Sequence, residues 1–357
     1  MLRYQVIKQA LLEEISKRKP LEKIPSRIEL CRLLDTTRTT LDKAIMELEQ
    51  EGIVFCRDGS GTYVAIPRGY DIQRAQNWGV LVPDITEDVY SALVRGVEDV
   101  ADSHNINLIM CNFDHDPQKY EQYLYRLILT DVSGLIVVPV FCRQIAEDTR
   151  LGEMILKSGK PFVLCNRDIS GIKAPVVSSN NFYGAYIATK HLIQKGYRSI
   201  AYMANYNYRT SIERYHGYIA ALQEAGIPIE WDRIIIDSVS GEVDGGYTAA
   251  CSLFQKGTTV DAIFCFSELI NGIYQAAKDF GRSIPDDLGI VSYDNTHLSR
   301  QVVPAVTTVE YHSREIGRIA AELLLDQTNG KGTVDFLHHL VQPKLIERGS
   351  CTGPVIK

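Results

Sequence analysis

DTTRTTLDKAIMELEQEGIVFCRDGSGTYV, residues 35–64, places four threonines and an arginine within six positions, follows them with a helical run, and ends in a glycine-punctuated hairpin. From Thr37 onward, Leu41, Ala44, Ile45 and Leu48 recur at helical spacing, and Gly52 stands just past the end, where a helix commonly closes. IVFCRDGSGTYVAI then alternates as a strand, turns through Asp58, Gly59, Ser60 and Gly61, and returns as a second strand. The start of a helix carries unpaired N–H groups and a partial positive charge. Thr37, Arg38, Thr39 and Thr40 add short hydroxyl donors and one guanidinium fork there, a set suited to phosphates and to base edges in a major groove. Taken alone, the threonines are also accounted for by a plain helix cap at Thr36 or Thr37. The surrounding arrangement argues for more.

Upstream, Tyr4, Ile7, Leu11 and Ile15 repeat at helical spacing and Pro20 stops the run, which predicts a first amphipathic helix. Ser26 followed by Glu29 is a capping box, so a second helix starts at Ser26 and carries Ile28, Leu30, Leu33 and Leu34. Two short helices joined by so tight a turn form a helix-turn-helix, and the hairpin adds a wing. IPSRIELCRLLDTTRTTLDKAIMELEQEGIVFCRDGSGTYVA resembles the DNA-binding domain of GntR-type bacterial regulators over nearly all of residues 1–66. The resemblance implies that Ser26, Thr37, Arg38, Thr39, Thr40, Gly59, Ser60, Gly61 and Thr62 meet DNA, with Arg27, Lys43 and Arg57 completing the candidate set. Two positions depart from the family pattern. Ile28 stands where an arginine is common, and Asp42 stands where a basic or aromatic residue is common, so Asp42 either reads a cytosine amino group or faces away from DNA.

The 357 residues predict two or three domains with large cores. No apolar run approaches the length of a membrane helix, and the N-terminus is charged throughout, so the chain is expected to be cytoplasmic. The eight cysteines form no CxxC pair and sit mostly in apolar runs, as small hydrophobes of a reducing compartment. Net charge is −6, but residues 1–67 hold 11 Lys and Arg against 10 Asp and Glu. A net of +1 does not by itself imply nucleic acid, so the argument rests on where the charges point.

Residues 67–77, polar and basic, read as a linker between a DNA-binding domain over 1–66 and a larger domain over 78–357. In the larger domain, NWGVLVPD, GLIVVPV, PFVLCN, SIAYMAN, RIIID, AIFCF and LGIVSYD are buried-strand runs alternating with amphipathic helices. The expected fold is therefore α/β, with parallel sheets covered on both faces and split into two lobes. No phosphate-binding glycine motif follows any strand. Ligands of open α/β sheets sit at the carboxyl ends of strands, which here are polar: Asp84, Thr86, Glu87 and Asp88, then Asn166, Arg167 and Asp168, then Asp294 and Asn295. With Tyr90 and Phe141 nearby, such ends suit a polyol, whose hydroxyls bond carboxylates and amides and whose CH faces pack on rings. Singly, each is equally a helix cap.

NWGVLVPDITEDVYSALVRGVEDVADSHNINLIMCN, SIERYHGYIAALQEAGI, AIFCFSEL, SIPDDLGIVSYDN and PAVTTVE resemble, in order, the effector domain of LacI-type regulators. That domain shares its two-lobed fold with periplasmic sugar-binding proteins. A GntR-type head on a LacI-type effector domain resembles the arabinose-repressor-like branch of bacterial regulators. The resemblance implies effector contacts at Thr86, Glu87, Asp88, Tyr90, Asn166, Arg167, Arg214, Ser267, Glu268 and Asp294, and crossovers between lobes near 175, 297 and 326. Asn166 and the Phe266-Ser267-Glu268 run depart from the family's aspartate and Ala-Asn-Asp. Arg214 is the strongest candidate. It lies off the apolar stripe of Ile212, Tyr215, Ile219 and Leu222, and its replacement by alanine is expected to abolish effector response with folding intact.

His338 and His339 lack a third ligand at suitable spacing and lie in a strand pattern, so neither a metal nor another cofactor is expected. The whole predicts a non-enzymatic transcription repressor of sugar-utilisation genes, homodimeric on a pseudo-palindromic operator and controlled by a monosaccharide or sugar phosphate. The rival is a sugar-binding or sugar-processing α/β protein with no DNA role.

Overall fold

The computed structural model describes residues 3–65, 76–140, 145–204, 209–236, 243–255, 259–331 and 338–353. They form two compact units, Met1–Ala75 and Gln76–Lys357. The expected linker falls, up to residue 75, outside the described residues.

In the first unit, α1 (Arg3–Ser16), α2 (Arg27–Leu33) and α3 (Arg38–Gln50) precede a hairpin of β1 (Val54–Arg57) and β2 (Gly61–Val64). Leu11, Ile15, Leu30, Leu41, Ile45, Leu48 and Val54 make its core. Both caps read from the sequence are present. Ser26 and Glu29 form the reciprocal box at α2, and Thr37 caps α3. Ile28 and Leu33, expected on the buried side of α2, are 66% and 61% exposed, because a seven-residue helix buries one face only and Leu30 occupies it. The wing is held from behind, since the Ile24 N–H donates to the Thr62 carbonyl at 2.9 Å and the Leu21 N–H to the Val64 carbonyl at 2.9 Å.

The second unit has two lobes. The first is laid down by β3 (Gln76–Val82), α4 (Asp88–Ser103), β4 (Ile106–Asn112), α5 (Pro117–Leu129), β5 (Gly134–Val137), α6 (Ile145–Lys157), β6 (Phe162–Cys165) and β7 (Val176–Ser179). The second follows as α7 (Asn181–Gln194), β8 (Ile200–Met203), α8 (Arg209–Glu224), β9 (Ile234–Ile235), α9 (Val243–Gln255), β10 (Ala262–Phe266), α10 (Ile270–Asp279), β11 (Gly289–Tyr293), α11 (Leu298–Gln301) and β12 (Thr307–Glu310). The chain then returns through α12 (Ser313–Thr328) to β13 (His338–Val341) in the first sheet and ends with β14 (Lys344–Ile346) in the second.

Each lobe is built on a six-stranded sheet, β4-β3-β5-β6-β7-β13 and β9-β8-β10-β11-β12-β14. All pairings are parallel except β12 with β14 at one edge. The passages between lobes follow β7, follow β12, and separate β13 from β14. Each lies later than the positions expected near 175, 297 and 326. The four-residue strands VVSS and TTVE carry too short and too polar a pattern to be separated from loop, and they extend each lobe by one strand. Among the described residues, no helix is long and apolar enough to cross a membrane.

One apolar cluster runs from Trp78, Val80 and Val97 in the first lobe to Tyr202, Phe264 and Tyr293 in the second. A second cluster, with Leu81, Phe113, Tyr120 and Leu164, fills the other face of the first sheet. α4 and α12 cross so closely that a Cβ on Gly96 would overlap the Arg314 carbonyl oxygen, and one on Gly317 would overlap the Leu93 carbonyl oxygen. Gly317→Ala is therefore expected to cost about 1–3 kcal/mol, by overpacking a backbone contact that no rotamer change relieves. Urea unfolding of the purified protein checks this, and an unchanged midpoint would show that the two helices part freely.

Candidate functional site

In the first unit, the threonines at the start of α3 divide their work. The Thr40 N–H donates to the Thr37 hydroxyl at 3.5 Å, and the two hydroxyl oxygens lie 2.9 Å apart. Thr37 thus caps the helix, while Thr39 and Arg38, the latter with an 80% exposed side chain, face solvent. Arg27 donates through Nε to Asp42 at 3.2 Å, makes a short bond to the Thr62 hydroxyl, and reaches the Cys56 sulfur at 3.6 Å. Arg38 stands 3.7 Å from the other Asp42 oxygen. The acidic residue on the reading helix is therefore neutralised by two arginines, and in turn it orients both of them.

Thr62, a candidate contact, is 2% exposed and turned inward, so it acts by holding Arg27. Lys43 lies over the Tyr4 ring at 4.3 Å. On the wing, the exposed Arg57 guanidinium lies 5.6 Å from the Phe55 ring and 5.7 Å from the Tyr63 ring. Ser60 bonds the Tyr63 hydroxyl at 2.6 Å, and Gly59 and Gly61 take positive φ at the turn. Ser26 is exposed, its oxygen accepting from the Glu29 N–H at 3.3 Å. A groove of about 350 Å³ runs between α2 and α3, lined by Arg27, Ile28, Arg32 and Arg38 among others. Arg32 was missed in the sequence. Its position one turn after the outward-facing Ile28 is the signal that could have found it.

In the second unit, Arg214 on α8 is 5% exposed. Its Nε donates to Asn181 Oδ1 at 3.0 Å and its Nη2 to Asp294 Oδ1 at 3.0 Å. The guanidinium carbon stands 3.7 Å from the Tyr293 ring centre and 4.8 Å from that of Phe266. Asn181, at the start of α7, also donates to the Ser179 carbonyl and to Glu213. Asp294 takes φ +81° at the end of β11, a left-handed turn that short polar side chains tolerate. Burial works to lower the Arg214 pKa, but the Asp294 carboxylate overrides it and holds the arginine charged. Burial raises Asp294 against the pull of Arg214.

Glu268 keeps solvent contact in the cleft. Desolvation by the surrounding protein, then the charges of Asp294 and Glu87, push its pKa up to about 7. Glu87 belongs to the first lobe, so carboxylates of both lobes face one another. His115 lies 2.6 Å from Glu87 and stacks edge-on to Tyr90 at 6.3 Å. Asn166 takes φ +68° after β6, is 9% exposed, and its Oδ1 has no hydrogen-bond donor.

The other expected contacts are occupied elsewhere. Thr86 bonds Asp84 through both hydroxyl and N–H, at 2.8 and 2.9 Å. Arg167 donates to the Pro139 carbonyl at 2.5 Å. Ser267 is fully buried and donates to the Tyr293 carbonyl, so it ties two strand ends together instead of lining the cleft. Phe141 lies outside the described residues.

Asp88 bridges the lobes, accepting from the His297 N–H at 2.6 Å with the ring Nδ1 at 2.9 Å. Burial works against the Asp88 charge, but these His297 contacts hold its pKa below the ordinary carboxylate range. The pair borders a cavity of about 880 Å³ that Asp294, Asn295, Arg300 and Arg314 also line. His338 approaches Ser178 at 2.9 Å across paired strands. Among the described residues, no three His, Cys, Asp or Glu side chains gather to hold a metal ion.

The family model described as bacterial regulatory proteins, gntR family, matches residues 3–64. That of the periplasmic binding protein-like domain matches residues 189–351. The arabinose metabolism transcriptional repressor of Geobacillus stearothermophilus is 26% identical over 98% of this chain and 97% of its own length. The transcriptional regulator RegA of Clostridium saccharobutylicum is 31% identical over 80% of this chain and 84% of its own length. The crystal structure of a LacI family transcriptional regulator from Enterococcus faecium, with bound ribose, superposes with a TM-score of 0.66 at 29% identity, covering 78% of this chain and all of its own. These relatives are regulators, which places the chain outside sugar-processing enzymes.

The burial of Arg214 changes the outcome expected for its removal. Arg214→Ala strands the Asp294 carboxylate in a dry site, a loss of about 3–5 kcal/mol of stability, so the variant is expected to unfold earlier as well as to lose effector response. Combining Arg214→Met with Asp294→Asn removes both charges and is expected to recover part of that stability. Thermal unfolding of the single and double variants checks this, and full stability of Arg214→Ala would refute it.

Proposed function

Because the chain belongs to the LacI-type transcription regulators, with a head of the gntR family, we propose that it is a sugar-responsive repressor acting as a homodimer on a pseudo-palindromic operator. The observation that carries this reading is the second unit's cleft, where strand ends of both lobes bring Glu87, Asn166, Glu268 and Asp294 around a buried Arg214. A sugar supplies hydroxyls for those groups and CH faces for rings such as Tyr90. That one relative governs arabinose metabolism and another holds ribose supports the ligand class.

A single winged helix reads only a few base pairs, so a second copy is needed for useful affinity, and two-fold pairing makes the operator a pseudo-palindrome. The effector draws the lobes together and shifts the spacing of the two heads. A coupling of about 1–3 kcal/mol suffices to release them from successive major grooves. In each head, Arg38 and Thr39 face the major groove, Arg32 and Arg57 face phosphates, and Asp42 sets the arginines.

Fluorescence anisotropy with operator DNA tests the reading. A pentose or hexose that raises the thermal midpoint is expected also to release the DNA; sugars that bind without release would sink the regulatory coupling. Arg38→Ala is expected to cost about 1–3 kcal/mol of operator affinity and to reduce the discrimination against random DNA. Asp42→Ala, lacking one carboxylate near the phosphates, is expected to tighten random-sequence binding while narrowing the gap to operator. A parallel loss on both DNAs would show that Asp42 itself contacts a base.

A further inference from the structure

The cleft groups with capacity to spare are overwhelmingly acceptors. Glu87 and Asn166 come from the first lobe, Glu268 and Asp294 from the second. The Asn166 Oδ1 is buried with no donor, an unsatisfied group of the kind that native interiors rarely leave without a ligand, water or ion. The guanidinium that opposes these carboxylates, Arg214, is already engaged: Nε on Asn181, Nη2 on Asp294, and its face on Tyr293. Its charge is therefore balanced within the second lobe, and Glu87 and Glu268 repel across the gap between lobes.

A ligand that draws the lobes together must quench that repulsion and bring hydrogen-bond donors. A phosphate or carboxylate ester group does neither. It adds negative charge beside Glu268 and offers Asn166 Oδ1 nothing to accept from, and like charges set together in a desolvated site cost several kcal/mol. A hydroxyl donates one hydrogen to each acceptor and carries no charge. Building on the sugar-sensing reading above, we propose that the cleft takes a non-anionic polyol, an unphosphorylated sugar whose hydroxyls donate to Glu87 and Asn166 in one lobe and to Glu268 in the other, and that it rejects phosphate esters of the same sugar. Specificity here comes from placing the wrong charge against the competitor as much as from fitting the correct ligand.

Isothermal titration of the full-length protein tests this with matched pairs: arabinose and arabinose 5-phosphate, ribose and ribose 5-phosphate, glucose and glucose 6-phosphate, galactose and galactose 1-phosphate. At least one free sugar is expected to bind, with its ester weaker by about tenfold or more. Glu268→Gln is expected to weaken the free sugar and to narrow that gap; Glu87→Gln, from the opposite lobe, does the same and guards against a misfolded first variant. An ester that binds as tightly as its parent sugar, or more tightly, overturns the inference while leaving the sugar-responsive reading standing. Silence from every sugar and every ester, with a purine base binding instead, overturns both.

Discussion

The buried ion pair of Arg214 with Asp294 is the constraint on which the cleft depends. Taking both charges out of water is costly, and the Coulomb attraction alone does not repay it. The pair stands because the remaining valences are filled: Asn181 takes a second guanidinium proton, Tyr293 and Phe266 present ring faces to the cation, and Asn181 is itself held by Ser179 and Glu213. Those residues come from the start of α7, the first turns of α8 and the end of β11. A chain that buries this pair has fixed the three segments that frame one wall of the cleft. Such a network contributes little net stability compared with apolar packing, and its value lies in allowing one arrangement only.

The first unit uses the same device at the surface with smaller energies. Asp42 sits between Arg27 and Arg38, and Thr62 and Cys56 receive the other end of Arg27. Exposed ion pairs contribute little to stability, so the consequence is geometric. Two long cations that would otherwise sample many rotamers are held over a groove about as wide as the gap between two helices. This explains how a head with nearly balanced charge can still present a basic reading surface: the carboxylates are spent on orienting the arginines.

Legibility in the sequence follows the range of each interaction. The caps at Ser26 and Thr37, the wing turn at Gly59 and Gly61 and the parallel strands were legible, because each is decided within a few residues by backbone geometry or a continuous apolar run. Arg214 was legible as a residue off the apolar stripe. Its partner Asp294 lies 80 positions away, so burial of the pair was not, and with it went the expectation that alanine at 214 leaves folding intact. Ser267 and Thr62 failed for a related reason: a hydroxyl that turns inward to a carbonyl or a guanidinium has the same sequence pattern as one that faces a ligand. The His297 bond to Asp88, spanning 209 positions, left no local trace at all. Short polar strands hid the passages between lobes.

α4 joins these strands of argument. Its first turn carries Asp88 and Tyr90 at the cleft, with Glu87 as the preceding cap residue. Farther along, Gly96 lets the backbone of α4 touch that of α12, the helix by which the chain returns from the second lobe. Helices in backbone contact through glycine cannot slide independently, because every displacement meets a carbonyl oxygen instead of a yielding side chain. In the proposed closure, a ligand drawing Glu87 toward Glu268 therefore moves α4 and α12 as one body, and the Asp88 bond to His297 is remade as they move. A packed pair of this kind has discrete positions and no continuum between them, the property that turns a few hydroxyl contacts into a change of state.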